Sequence, residues 1–254
     1  MRRPHTLFLL LLTALCASPA SAVPVHPVSI VAEYPHDARA FTQGLHWHDG
    51  RLYESTGLYG QSTLREVALD SGRVVRSVPL DRREFGEDIT VVGGQLLQLT
   101  WQNHYAYVWD LETFEPISRI RYAHLDEGWG VAYDGTSLVT SDGSADLRFV
   151  DPDTFAVRRT VTVRANGEPL AQLNALQFID GKLYANVWQT TRIAEIDPAT
   201  GDVTAFVELA PLLARLGDID VRVESPNGIA WDPDGRRVFV TGKLWPRLFE
   251  VTWR

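Results

Sequence analysis

In the stretch Leu45-His46-Trp47-His48-Asp49-Gly50-Arg51-Leu52-Tyr53, two short runs of alternating apolar character meet at an Asp-Gly pair. Both central residues of a type I′ turn need positive φ, so Asp-Gly between such runs reads as a β-hairpin. The arrangement returns at Gly93-Gly94, Asp134-Gly135, Asp180-Gly181 and Asp234-Gly235, at spacings of 44, 41, 46 and 54 residues. A third strand follows each hairpin. In four units it ends in an acidic turn, at Leu69-Asp70, Trp109-Asp110, Val150-Asp151 and Ile196-Asp197, and a fourth strand comes next. Four short strands per unit of about 40 to 45 residues, without crossover helices, form the pattern of propeller blades. The last unit stops after its third strand, at Val251-Thr252-Trp253, while an unpartnered strand over residues 28–34 precedes the first unit. The expected fold is therefore all-β: a five-bladed β-propeller closed by an N-terminal strand that completes the last blade and hides an open edge. Residues 210–217, Ala-Pro-Leu-Leu-Ala-Arg-Leu-Gly, predict one short helix on a loop.

Ahead of the repeats, Arg2 and Arg3, an apolar run over residues 7–15 and Ala20-Ser21-Ala22 have the three-part form of a secretory signal peptide. Cleavage is expected after Ala22, which leaves residues 23–254 as a single propeller domain, exported to the periplasm or the medium. The apolar run is about half the length a membrane-crossing helix needs, so no membrane association is expected. Without the leader the chain keeps 22 of its 24 basic residues and all 32 acidic ones, a net charge of −10. Nucleic acid is thereby excluded as a partner. Cys16, the sole cysteine, lies in the leader. Disulfides, a cysteine nucleophile and cysteine-ligated zinc are excluded together. A monomer is the expectation.

Aligning the five turns exposes two repeated positions per blade at the same end of the ring. About six residues before each turn stand Gln43, Glu87, Gly128-Trp129, Asn174 and Asn227-Gly228. About seven residues after each turn's glycine stand Gly57, Trp101, Asp142, Trp188 and, with one extra residue, Lys243. Innermost strands line a propeller's channel, so both sets should converge on one mouth of it. Positions that serve packing alone tend to look alike from blade to blade, as Trp47 and Trp231 do. These positions differ: three indoles, a carboxylate, carboxamides and an ammonium. Apolar walls with a few convergent polar groups describe a pocket for a small organic group. Gly57 and Asp142 read as structural, and Trp109, Trp245 and Trp253 as core or unassigned.

The sequence also resembles, at these residues, the plant and bacterial type of glutaminyl-peptide cyclotransferase, or glutaminyl cyclase. The resemblance spans nearly all of the chain after the leader and is carried by Ala40-Phe41-Thr42-Gln43-Gly44-Leu45, Phe85-Gly86-Glu87-Asp88-Ile89-Thr90, Leu99-Thr100-Trp101, Glu127-Gly128-Trp129-Gly130, Leu173-Asn174-Ala175-Leu176, Val187-Trp188, Pro226-Asn227-Gly228-Ile229-Ala230 and Thr241-Gly242-Lys243. It implies a five-bladed propeller that needs no metal or other cofactor and acts on peptides or proteins with N-terminal glutamine, forming pyroglutamate and ammonia. It further implies that Glu87 is the catalytic carboxylate and that Trp101, Trp129 and Trp188 enclose the substrate. Phe41, Gln43, Asn174 and Lys243 match the remaining residues of the pocket.

Two other readings use the same residues. In a calcium-dependent lactonase-type propeller, Glu87, Asn174, Asn227 and Asp142 would ring the ion, all of them hard oxygen ligands. In a non-catalytic propeller the aromatic mouth would grip a peptide or glycan, because fold alone does not fix function.

Overall fold

The computed structural model describes residues 22–217 and 223–253. The expected leader, apart from Ala22, lies outside the described residues. Five four-stranded antiparallel units follow one another around a ring, and their innermost strands are Thr42–His48, Gly86–Val92, Gly130–Tyr133, Leu173–Ile179 and Pro226–Asp232. Each innermost strand packs beside the next, and the fifth packs beside the first, so the ring is closed. Closure falls where the sequence places it: Ser29–Pro35 pairs antiparallel with Arg247–Thr252 and becomes the outer strand of the fifth blade. Two small features go beyond the sequence reading. Val25–Pro27 adds a parallel fifth strand to the rim of the fourth blade, and a hairpin of Arg164–Ala165 with Glu168–Pro169 interrupts the connection between blades three and four.

The apolar core is divided among the blade interfaces. One cluster joins blades one and two through Tyr53, Leu64, Ile89 and Leu96, and another joins blades five and one through Leu45, Leu52, Phe239 and Leu248. Alternation along each strand sends successive side chains to opposite faces, so a blade in the ring buries both faces against its neighbours. Each large side chain so buried contributes about 1.5–3 kcal/mol. The predicted helix is present as Ala210–Leu216, with Leu212 and Leu216 buried against Trp245 and Phe249. Gly217 ends it in a right-handed conformation, with its N–H shared between the carbonyls of Leu213 and Ala214.

Three of the five turns have positive φ at both central residues, as a type I′ turn requires: Asp49-Gly50, Gly93-Gly94 and Asp180-Gly181. The other two depart from that expectation while still joining the first and second strands. At Asp134 the side-chain Oδ1 accepts the N–H groups of Thr136 and Ser137, which supports a four-residue connection with positive φ at Gly135 alone. In the fifth blade Pro233 fixes its own φ and favours an ordinary type I turn, and the positive φ moves to Arg236.

Candidate active site

The innermost strands do not start smoothly. Pairing with the second strand slips between Thr42 and Gly44, Gly86 and Ile89, Leu173 and Leu176, and Pro226 and Ile229. A β-bulge leaves a residue out of the ladder and re-aims its side chain. The residues caught in these slips are Gln43, Glu87 with Asp88, Asn174 with Ala175, and Asn227 with Gly228, so the polar positions of the repeat are bulge residues. Backbone bonds then fix the second repeated position against the first. The N–H groups of Gly57, Trp101, Trp188 and Lys243 donate to the carbonyls of Phe41, Phe85, Gln172 and Ser225, each two residues before the bulge residue of the same blade. The third blade differs: the N–H of Trp129 donates to the carbonyl of Ser141.

Bulges also free N–H groups that must find acceptors in a dry interior. Asp88 supplies one, although its position beside Glu87 would ordinarily suggest a solvated turn. Its carboxylate is buried and accepts from Ile89 at 2.9 Å, from Val131 of blade three at 3.0 Å and from Leu176 of blade four at 2.9 Å. Burial pushes this carboxyl up to about 8 although all three donors pull the other way. Asn186 plays the same part between blades four and five, its Oδ1 accepting the N–H of Gly228. Gly44 is required for the first two blades to meet here: a Cβ at that position would stand 2.2 Å from Asp88 Oδ1.

Above this floor lies a pocket of about 250 Å³ lined by Phe41, Gln43, Phe85, Glu87, Trp101, Trp129, Asn174, Trp188 and Lys243. It gathers all eight residues singled out in the sequence and adds Phe85. A larger open hollow of about 460 Å³, lined in part by Tyr107, Trp109 and Arg119, lies on the flank between blades one and two, away from these bulges. The pocket volume falls below the range usual for drug-sized ligands and suits a single small residue. Its walls are edge-on aromatic pairs: Trp129 meets Trp188 at 5.4 Å and 85°, and Phe85 meets both Trp101 and Phe41. Such offset geometry satisfies ring quadrupoles and fixes the walls. Gly57 is structural, as expected, because a Cβ there would lie 2.2 Å from the Phe85 ring.

Glu87 is 4% exposed and is held by a defined chain of amides. Asn227 Nδ2 donates to the backbone carbonyl of Gln43 at 3.1 Å and to its Oε1 at 2.8 Å. Since a backbone carbonyl only accepts, the Asn227 amide can face one way only, and Gln43 is oriented with it. Gln43 Nε2 then donates to Glu87 Oε1 at 3.0 Å. Asn227 therefore stands behind the pocket wall, orienting Gln43. Burial drives the Glu87 carboxyl well above its ordinary range; the Lys243 ammonium works against that, while Asp88 and Glu127 add to it. Burial likewise lowers Lys243, whose Nζ sits 5.0 Å from the centre of the Phe41 ring. Asn174 Oδ1 is buried and has no hydrogen-bond partner, so it stands as an unused acceptor.

Sequence reasoning missed Glu127, although it lies two residues before Trp129. Its Oε2 accepts the indole N–H of Trp101 at 2.6 Å and of Trp129 at 2.9 Å, and its Oε1 accepts from Gln102 at 3.0 Å. Burial works to raise this carboxyl, but the donors from Gln102, Trp101 and Trp129 prevail and hold it below its usual range. One carboxylate thus ties the indoles of blades two and three. The ring of oxygen ligands a calcium-dependent lactonase would need does not assemble. Asp142 accepts from Arg148 at 2.7 Å and from Ser144, and Asn227 turns its nitrogen toward Gln43. Among the described residues, no three His, Cys, Asp or Glu side chains gather to hold a metal ion.

Fold and site together define an enzyme of the propeller type, with one desolvated carboxyl set inside an aromatic cage at the channel mouth. The family model for glutamine cyclotransferase matches residues 5–253. A glutaminyl-peptide cyclotransferase of Arabidopsis thaliana is 40% identical over 229 residues, which cover 89% of this chain and 71% of that protein. The glutaminyl cyclase of Myxococcus xanthus superposes with a TM-score of 0.85 at 39% identity, over 91% of this chain and 98% of that structure. The chain belongs to the glutamine cyclotransferase family.

Proposed function

We propose that this pocket carries the reaction of the family, closing the N-terminal glutamine of a peptide or protein to pyroglutamate with release of ammonia, and that Glu87 moves the protons. The observation that carries this reading is a buried carboxyl with one oxygen held by Gln43 inside a cage of indoles. The α-amine attacks the γ-carboxamide carbon of the same residue, so the enzyme's first contribution is to fold that side chain back between aromatic walls. A free α-amine has a pKa of about 7.7–8, and desolvation favours its neutral, nucleophilic form.

As the new C–N bond forms, the amine loses a proton to Glu87 and the γ-oxygen gains negative charge. Collapse of that intermediate breaks the bond to the amide nitrogen, which takes the proton back from Glu87 and leaves as ammonia. A carboxyl whose pKa burial raises above the ordinary glutamate range holds a proton more firmly between the two halves, serving as base and then as acid, a role worth about 10² to 10⁴ in rate. One N–H of Gln43 Nε2 goes to Glu87 Oε1, so the other carboxyl oxygen carries the proton, and the oxyanion takes its donor from Lys243 or from the second N–H of Gln43. Asn174 lines the pocket beside them and orients the substrate's carboxamide. No step calls for a metal, and the protein acts after export, as a monomer.

The test is enzyme-linked ammonia release from a Gln-initiated dipeptide, in chelator, with Glu87→Gln beside the unaltered protein. Turnover should survive chelation and fall about 10²- to 10⁴-fold in the variant at an unchanged melting temperature. Near-normal ammonia release by the variant removes Glu87 from the mechanism, and loss of activity in chelator removes metal independence. Cell fractionation checks the export reading.

A further inference from the structure

Beyond the pocket, the aromatic wall continues onto the surface through one residue. Tyr59 lies in the turn between Arg51–Thr56 and Thr63–Ala68 of the first blade. It is 49% exposed and is the one aromatic among the exposed large apolar side chains of the described residues. Its ring stands edge-on to Phe85 at 5.6 Å and tilted against Trp101 at 6.3 Å, both of them pocket walls. The turn is fixed rather than loose. Ser62 Oγ donates to the carbonyl of Leu58 at 2.9 Å and accepts the N–H of Gly86 at 3.0 Å, which ties the turn to the strand bearing Glu87. Packed on two pocket walls, the exposed ring extends the aromatic surface of the pocket outward to where the rest of a ligand would lie.

Which part of the ligand reaches it follows from the direction of the chain. The N-terminal glutamine fills the pocket with its amine toward Glu87, so its carbonyl, and everything after it, must leave through the mouth. On the side of the mouth where Tyr59 stands, a second cavity of about 190 Å³ begins at Phe41, a residue it shares with the pocket, and continues along Gly57, Leu58, Gln61 and Arg65. Its largely polar lining suits main-chain N–H and C=O groups. We propose that the peptide leaves over the first blade and that Tyr59 is the rest for the side chain of the second residue, giving the enzyme a preference for an aromatic residue there. This inference rests on the function proposed above and deepens it.

Stacking of one aromatic ring on another should favour Gln-Phe over Gln-Gly by about 3- to 10-fold in kcat/KM. The experiment measures kcat/KM for Gln-Phe-amide and Gln-Gly-amide with the unaltered protein, Tyr59→Phe and Tyr59→Ala. The ratio between the two substrates should persist in Tyr59→Phe and fall to near one in Tyr59→Ala. A ratio near one in the unaltered protein, or a ratio that survives Tyr59→Ala, overturns the proposal. Failure of the unaltered protein to cyclise either substrate overturns the reading of the pocket itself, so the two failures are distinct.

Discussion

Replacing Glu127 tests whether the aromatic cage works because its indoles are held in place. Its carboxylate receives the N–H groups of Trp101 and Trp129 on one oxygen and that of Gln102 on the other. Hydrogen bonds to a charged acceptor are worth about 1.5–3 kcal/mol each. Both indoles are half-buried, so water recovers part of what Glu127→Ala removes, and about half of the summed value of the two indole bonds should be lost. That loss, about 1.5–3 kcal/mol, corresponds to a fall in kcat/KM of about 10- to 100-fold. Glu127→Gln keeps an acceptor without the charge and should fall between. Two further readouts separate positioning from simple damage. The near-ultraviolet circular dichroism of the tryptophans should change in Glu127→Ala. The acid limb of the kcat/KM profile should also move to lower pH, because the Glu127 charge helps to raise the Glu87 carboxyl, and without it Glu87 ionises more readily. In the unaltered protein the tryptophan signal should hold down to the ordinary glutamate pKa of about 4.3 and change only as pH falls further, through the lowered value of Glu127. Undiminished kcat/KM in Glu127→Ala, with an unmoved pH profile, would refute the reasoning.

Gly57→Ala places a methyl group where the Phe85 ring now stands, at 2.2 Å, and the ring must yield toward the pocket. Overpacking of this kind costs about 1–3 kcal/mol, so a raised KM and a lower melting temperature are expected, by steady-state kinetics and thermal denaturation. His36 joins the closing strand to the first blade: Nδ1 lies 2.6 Å from the carbonyl of Trp245 and Nε2 lies 2.9 Å from Glu54 Oε1. Both ring nitrogens face acceptors, so the ring is an imidazolium. Burial lowers its pKa, but the Glu54 charge and the hydrogen bonds outweigh that, and the folded value is raised. The stability it contributes is therefore complete below its unfolded pKa of about 6.5 and lost as pH rises through the raised folded value. His36→Ala should lose about 3 kcal/mol near pH 6, by urea denaturation, and should flatten the fall in stability above pH 6.5. A variant with the same alkaline decline as the unaltered protein would remove His36 as its source.

Much of the architecture could be read before any coordinates because its signals are local. A two-residue hairpin turn needs particular φ values, Asp-Gly and Gly-Gly supply them, and their spacing counts the blades. The incomplete last unit and the spare strand ahead of the first foretold the closure made by Ser29–Pro35. Where local chemistry offered a second solution, as with Pro233 and with the Asp134 side chain, the turn type escaped that reading. The site was legible for a related reason. In a repeat, residues in one register are brought to one place by symmetry, so Gln43, Glu87, Asn174 and the indoles could be named as neighbours without knowing a single distance.

Residues whose partners lie in other blades could not be read that way. Beside Glu87, Asp88 looks like one half of a solvated acidic pair. Only the packed ring shows it buried beneath the pocket, accepting N–H groups from the innermost strands of blades three and four. Glu127 lies next to Trp129 in sequence, but its hold on Trp101 spans two blades. Asn227 shares the register of Asn174 yet faces Gln43 instead of the cavity. The sequence by itself determined the fold, its closure and the set of side chains at the mouth, because turn chemistry and repeat register are properties of the chain. The tertiary structure decided which of those side chains point inward, which hold the others, and which carboxyl is driven toward its neutral form, because burial and hydrogen-bond direction exist only once the blades are packed.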